Sequence, residues 1–346
     1  MILTTYKLRY ITIYYSLCTA ALTLYLTPPV ASYSAGARVN YSLSAQLRLH
    51  EFRSDVFANT RTVRVLLPPG YEDPRHAAQR YAVLYLNDGQ NLFDASTSMF
   101  NPVEWQVDET VSRLAASNRI APLIVVGIDN AGKRERPAEY LPYSDEYLRP
   151  AMSSPYGRKY PDFLVDEVMP FINRTYRTRT GPESTGVGGA SYGAVAALYT
   201  VMRRPGVFGR LLLESPSLYI SSEQLLKDCD GVRQWPRRVY VGIGTRETGD
   251  EAGDREAVSL VRRFGEKLAK AGIRGKRLQV VVEEGGMHLE SAWARRLHGI
   301  RVPLRSVTSH TEGGRTNRST GGTAVFQVDP LRTAVPRSTR SLAGKP

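Results

Sequence analysis

The pentapeptide Gly189-Ala190-Ser191-Tyr192-Gly193 has the form G-x-S-x-G. That is the spacing of a strained strand-to-helix turn with a serine hydroxyl at its tip, the nucleophile elbow. Thr185-Gly186-Val187-Gly188 before it reads as a short strand, and Ala194-Val195-Ala196-Ala197-Leu198 after it as the start of a buried helix. A side chain two positions either side of the serine would collide with the crossing chain, hence Gly189 and Gly193. A serine hydroxyl is a weak nucleophile at its ordinary pKa and needs a base. The chain holds His50, His76, His288, His298 and His310. In this arrangement the order along the chain is serine, acid, histidine, so His50 and His76 come too early. His288 follows an apolar run and the turn Gly285-Gly286, at the end of a strand, where the base belongs. His298 adjoins a helix-like stretch, and His310 lies in a polar tail.

The acid that orients the imidazole is expected after the strand Val239 to Ile243. Glu247, Asp250 and Asp254 compete there. Asp254 directly precedes an amphipathic helix, so an N-cap explains it, and Asp250 reads as a solvated mid-loop residue. Glu247, three residues after Gly244, is favoured, with Asp254 the alternative acid. An oxyanion hole needs two backbone N–H donors. Tyr192 supplies one, and the loop Gly89-Gln90 the other, at Gln90. Asp88 reads as a plain turn residue. Trp105, Asn130, Arg136, Glu139 and Tyr140 fall in loops near strand ends, where they either line a substrate pocket or pack the loops.

These residues need a scaffold, and the hydrophobic pattern describes one. Arg61–Leu67, Tyr81–Leu86, Pro122–Ile128, Arg210–Leu213, Val239–Ile243 and Leu278–Val282 read as strands, most of them apolar on both faces. Between them fall helical spacings: Val107, Val111 and Leu114; Phe163, Val165, Val168, Phe171 and Ile172; and Ala257, Val261, Phe264 and Leu268, closed by Gly272. This alternation predicts an α/β fold on a mainly parallel sheet flanked by helices, with its chemistry at the carboxyl ends of the strands.

Composition agrees with a globular chain: 346 residues, 42% hydrophobic and 23% charged. Of the net charge of +13, the segment 301–346 carries +6 and Lys7 with Arg9 carry +2, leaving +5 for residues 10–300. The basicity is largely a tail property, and no nucleic-acid surface is indicated. Residues 1–37 read as an export signal: Lys7 and Arg9, an uncharged apolar run from Ile11 to Leu26, and the small-residue site Ala35-Gly36-Ala37. An uncleaved membrane anchor is the competing reading. Residues 38–304 form the expected catalytic domain. Residues 305–346 form a basic tail, expected to be disordered on composition. With the signal removed Cys229 is the one thiol left, which suits an exported chain. No phosphate-cradling glycine loop, dinucleotide fingerprint or metal-spaced His/Cys cluster is present in the sequence, so no cofactor or metal is expected.

Several segments in one order resemble the "Putative esterase" family of α/β hydrolases, the esterase D and enterochelin-esterase-like group. They are Leu66-Leu67-Pro68-Pro69-Gly70-Tyr71, Leu86-Asn87-Asp88-Gly89-Gln90-Asn91-Leu92-Phe93-Asp94, Val126-Gly127-Ile128-Asp129-Asn130 and Arg136-Pro137-Ala138-Glu139-Tyr140. Phe171 to Thr178, the elbow, Ser215-Pro216-Ser217 and Gly285-Gly286-Met287-His288 complete the set. The resemblance covers residues 45–300. It implies an α/β-hydrolase fold, a serine esterase acting on a small-molecule ester (a siderophore, aryl or acyl ester), and an acid on a Gly-Thr-x-Asp/Glu stretch. Gly244-Thr245-Arg246-Glu247 fits that stretch. The sequence departs from the family after Leu297, which puts the last helix in question. Two rival readings use the same chain. One is an acyltransferase with the same triad; the other is a non-catalytic surface-binding protein working through the tail.

Overall fold

The computed structural model describes residues 46–297. The expected export signal or anchor, His298, His310 and the basic tail lie outside the described residues. The strands are β1 (Leu47–Ser54), β2 (Asn59–Leu66), β3 (Ala82–Asn87), β4 (Leu123–Ile128), β5 (Thr185–Ala190), β6 (Arg210–Glu214), β7 (Arg238–Arg246) and β8 (Leu278–Met287). They form one sheet of 8 strands in the order β1-β2-β4-β3-β5-β6-β7-β8. β1, β2 and β4 pair antiparallel, and every pairing from β4 to β8 is parallel.

The inner parallel strands are buried on both faces because helices cover both, while the edge strand β8 is half-exposed. Every residue of β3, β4 and β5 is buried. Alternate side chains feed two apolar layers. One holds Val83, Tyr85, Val187, Leu211 and Val241. The other holds Leu84, Leu86, Val125, Leu212 and Tyr240. The helices that matter for the site are α1 (Val107–Ala116), α2 (Arg136–Tyr140), α3 (Met169–Thr175, entered through a π-helical segment Phe163–Val168), α4 (Tyr192–Arg203), α5 (Glu251–Lys270) and α6 (Glu290–Leu297).

The expected strands and helices are present. β1 has no counterpart in the expectation: Leu47 and Leu49 alternate with charge, but Glu51 and Phe52 break the period. This edge strand carries Arg48, Glu51 and Arg53, as edges exposed to water do. The start of α5 is corrected. Asp250, not Asp254, is its N-cap, with the carboxylate accepting from Gly253 N–H at 2.9 Å. At the other end Gly272 takes φ +89°, and Ile273 N–H returns to Leu268 C=O at 2.9 Å, as expected of a glycine stop. The last helix, α6, is formed, and it buries Trp293, Arg296 and Leu297.

Candidate active site

Five neighbouring strands end in the residues that carry polar chemistry. β3 ends at Asn87, and Ser191, Ser215, Glu247 and His288 directly follow β5, β6, β7 and β8. A parallel sheet collects its strand ends on one side, so residues far apart in sequence converge there.

Ser191 sits at φ 56°, ψ −123°, a conformation that a side chain rarely adopts, directly before α4. Two glycines permit it. A Cβ on Gly189 would lie 2.7 Å from the Gly193 carbonyl carbon, and one on Gly193 would lie 2.8 Å from Asp88 Oδ2. The first clash is with backbone and has no relief. The Ser191 N–H donates to Glu214 C=O at 3.0 Å, which ties the elbow to the end of β6. Its hydroxyl lies 3.4 Å from that of Ser217.

His288 Nδ1 lies 2.6 Å from Glu247 Oε2. The imidazole also meets the Trp293 ring edge-on, with centroids 5.4 Å apart. Glu247 is buried, and its other oxygen accepts from Gly244 N–H at 2.6 Å and from Ser215 Oγ–H at 2.8 Å. Burial pushes this carboxyl up. The hydrogen bonds from His288, Gly244 and Ser215 outweigh it and hold the carboxyl below its ordinary range. A charged acid against Nδ1 keeps the proton on that nitrogen and leaves Nε2 able to accept one. Asp254, the alternative acid, is engaged elsewhere: it accepts from the backbone N–H and hydroxyl of Thr248 at 2.7 and 2.9 Å. His50 contacts the Tyr176 hydroxyl and His76 the Gly70 carbonyl, both outside this group.

The two expected oxyanion donors lie on adjoining segments. Tyr192 opens α4, so its N–H points out of the helix's positive end. Gln90 lies in the turn Gly89–Asn91 after β3. Asn87 fastens this turn to the elbow: its Nδ2 donates to Gly193 C=O at 2.6 Å, while Tyr160 donates to its Oδ1 at 2.6 Å.

Asp88 is more than a turn residue. It is buried in the left-handed conformation at φ 60°. The Arg136 guanidinium grips it with two bonds, at 2.7 and 2.8 Å, and Asn130 Nδ2 adds a third at 2.6 Å. Burial works against the Arg136 charge, but Asp88 prevails and holds the guanidinium above its ordinary range. Phe100, Tyr140 and Tyr192 pack around that guanidinium. Replacing Arg136 with methionine would strand the Asp88 carboxylate in this setting. Urea unfolding is expected to show a loss of about 3–5 kcal/mol; a change below about 1 kcal/mol, the scale of an exposed pair, would contradict this account of the loop.

The five residues expected either to line a pocket or to pack the loops are all buried, and their side chains meet other parts of the chain. Glu139 and Tyr140 are fully buried, and Trp105 is 2% exposed. Glu139 pairs with Arg61 at 2.6 Å, the Tyr140 hydroxyl accepts from Asp88 N–H at 3.2 Å, and Trp105 meets the Trp293 ring edge-on. Asn130 and Arg136 are spent on Asp88. Through Asp88 they hold the residue that precedes the Gly89–Asn91 turn. Sequence reasoning missed Asn87, Ser215, Ser217, Trp293 and Arg296 as parts of this region. The signal for the two serines was present, since Ser215-Pro216-Ser217 directly follows a strand predicted to end on the catalytic side.

The geometry agrees with what known proteins resemble. The family "Putative esterase" matches residues 54–302. An endo-1,4-beta-xylanase/feruloyl esterase of Xylanibacter ruminicola is 26% identical over 257 residues, covering 73% of this chain and 30% of that protein. An iron(III) enterobactin esterase of Dickeya dadantii is 31% identical over 101 residues, covering 24% of this chain and 23% of the other. The chain thus spans less than a third of the length of either. Among solved structures, an IroE-like serine hydrolase from Shewanella oneidensis superimposes with a TM-score of 0.57 at 19% identity, over 73% of this chain and 79% of that one, which establishes a shared fold. The family match spans most of the sequence and all the strand ends described above; the chain belongs to this esterase family, a carboxylic ester hydrolase on the α/β-hydrolase fold.

Proposed function

We propose that the chain hydrolyses a small-molecule ester through a Ser191-His288-Glu247 triad and an acyl-enzyme. The observation that carries the reading is the 2.6 Å contact between Glu247 and His288 at the ends of adjacent strands, on the same side of the sheet as a serine held at φ 56°. Ser191 Oγ attacks the ester carbonyl carbon while His288 Nε2 takes the hydroxyl proton. Glu247 stabilises the imidazolium and does not itself take the proton. The carbonyl oxygen gathers negative charge, and the Tyr192 and Gln90 N–H groups stabilise it. The tetrahedral intermediate collapses with cleavage of the bond to the alcohol, which leaves with the His288 proton. Water then repeats the sequence on the acyl-enzyme: His288 takes its proton, the acid is released and Ser191 regains its hydrogen.

The feruloyl and enterobactin esterases among the relatives support an aryl or siderophore ester as substrate. The amino-terminal apolar run behind Lys7 and Arg9 supports action outside the cytoplasm.

Partitioning tests the acyl-enzyme. Phenyl acetate and p-nitrophenyl acetate would pass through the same acetyl-Ser191. Added methanol and water should therefore share the acetyl group in one ratio for both esters. Ratios that differ between the two esters would contradict a common intermediate. A strong preference for the added alcohol over water would favour the transferase reading of the same triad.

A further inference from the structure

Ser215 is the residue that the proposed mechanism leaves unused and that the geometry constrains most. It follows β6, is 2% exposed and holds φ 42°. Its hydroxyl makes three hydrogen bonds. Trp293 Nε1–H donates to it at 2.9 Å and Arg296 Nη2–H at 3.1 Å, and the hydroxyl donates to Glu247 Oε1 at 2.8 Å. A hydroxyl has one hydrogen and two lone pairs, and neither an indole N–H nor a guanidinium can accept. Both lone pairs are taken by obligate donors, so the hydrogen has one destination, Glu247.

We propose that Ser215 is a positioning residue for the acid, with its direction fixed by Trp293 and Arg296 of α6. Its bond and that of Gly244 N–H occupy Oε1, which presents Oε2 to His288. Arg296 is itself buried and held by two carboxylates. Its Nε donates to the buried Glu214 carboxylate at 2.7 Å and its Nη1 to Glu283 at 2.8 Å, and Tyr240 donates to the second Glu214 oxygen at 3.0 Å. The backbone carbonyl of Glu214 holds the Ser191 N–H. The end of β6 therefore fixes the backbone of the nucleophile and, one residue later, the carboxylate of the acid. The inference rests on the triad reading above.

The test separates positioning from mere packing through the backbone. Ser215→Gly removes the hydroxyl and relieves the positive φ but leaves the Trp293 and Arg296 donors unpaired, so a merely structural role predicts lost stability with the kcat of the folded enzyme unchanged. Positioning predicts a kcat lower by about 10- to 100-fold, because a small misplacement of a catalytic group is that costly. KM should stay within about twofold, since Ser215 acts on a step and not on ground-state binding. In a Glu247→Gln background, adding Ser215→Gly should cost nothing further, as it acts through Glu247. Trp293→Phe, which keeps the ring but deletes one donor, should lower kcat by a smaller factor, about 3- to 10-fold. It serves as the deciding variant if Ser215→Gly does not fold. A folded Ser215→Gly enzyme with kcat within twofold of the parent, an equal loss with and without Glu247→Gln, or an unaltered Trp293→Phe enzyme would overturn the proposal. If Ser191→Ala retains turnover, the triad reading itself fails, which is a different result.

Discussion

Ser191→Ala and His288→Ala enzymes are each expected to lose about 10⁴-fold or more in kcat against p-nitrophenyl esters while remaining folded, with Ser191→Ala keeping the parent's thermal unfolding midpoint. Loss without unfolding follows from the contacts. Among the described residues the Ser191 hydroxyl makes one long contact, 3.4 Å to Ser217, and its removal strands no partner there. The strained φ of 56° belongs to the backbone, fixed by the Glu214 carbonyl and the paired glycines, and alanine inherits it. The His288 ring is partly exposed, with 22% of its side chain accessible, and its removal leaves Glu247 with two donors on the other oxygen. The double variant should be no slower than either single one, because nucleophile and base act as a unit. A multiplicative loss would point to a second catalytic route.

The second large effect is expected at Glu247. Glu247→Gln places an amide where a carboxylate meets Nδ1, which favours the imidazole tautomer unable to take the serine proton. A loss of about 10⁴-fold in kcat is the scale of that error. Asp254→Asn serves as the control. Its carboxylate holds Thr248, so kcat should stay within about twofold. The reverse pattern would return the acid's role to Asp254. Glu247 also predicts a stability effect with a definite sign. Its folded carboxyl is held below the ordinary value of 4.5, so the unfolded chain takes up this proton first. Its contribution is present above 4.5 and is lost as pH falls through the lower folded value. The Gln variant should therefore lose less stability than the parent between neutral pH and acid, read from urea midpoints.

What the sequence revealed and what it hid have physical reasons. β4 is legible because Leu123 to Ile128 is apolar throughout and belongs in a covered parallel sheet. The elbow is legible because its constraint is local: Gly189 and Gly193 flank the serine they make room for. His288 and Glu247 are legible by their place after the last two strands. The buried charges are not. Arg136 and Glu139 look like loop residues because their partners, Asp88 and Arg61, lie 48 and 78 residues away. Local sequence carries no sign that a charge is neutralised by so distant a neighbour. The place of Ser215 after a strand is legible, but its bonds are hidden for the same reason: its donors on α6 lie 78 and 81 residues further along. Asp250 and Asp254 were exchanged because both precede an amphipathic stretch, and the cap is decided by backbone geometry.

Covalent labelling decides whether Ser191 is the nucleophile. The full chain is treated with a fluorophosphonate, its intact mass is measured, and the modified peptide is sequenced. The expected result is one adduct per chain at Ser191, loss of turnover in proportion to labelling, no adduct in Ser191→Ala, and slow labelling in His288→Ala. An enzyme that turns over esters but takes no label, or that carries it on Ser217 or Ser215, would contradict it.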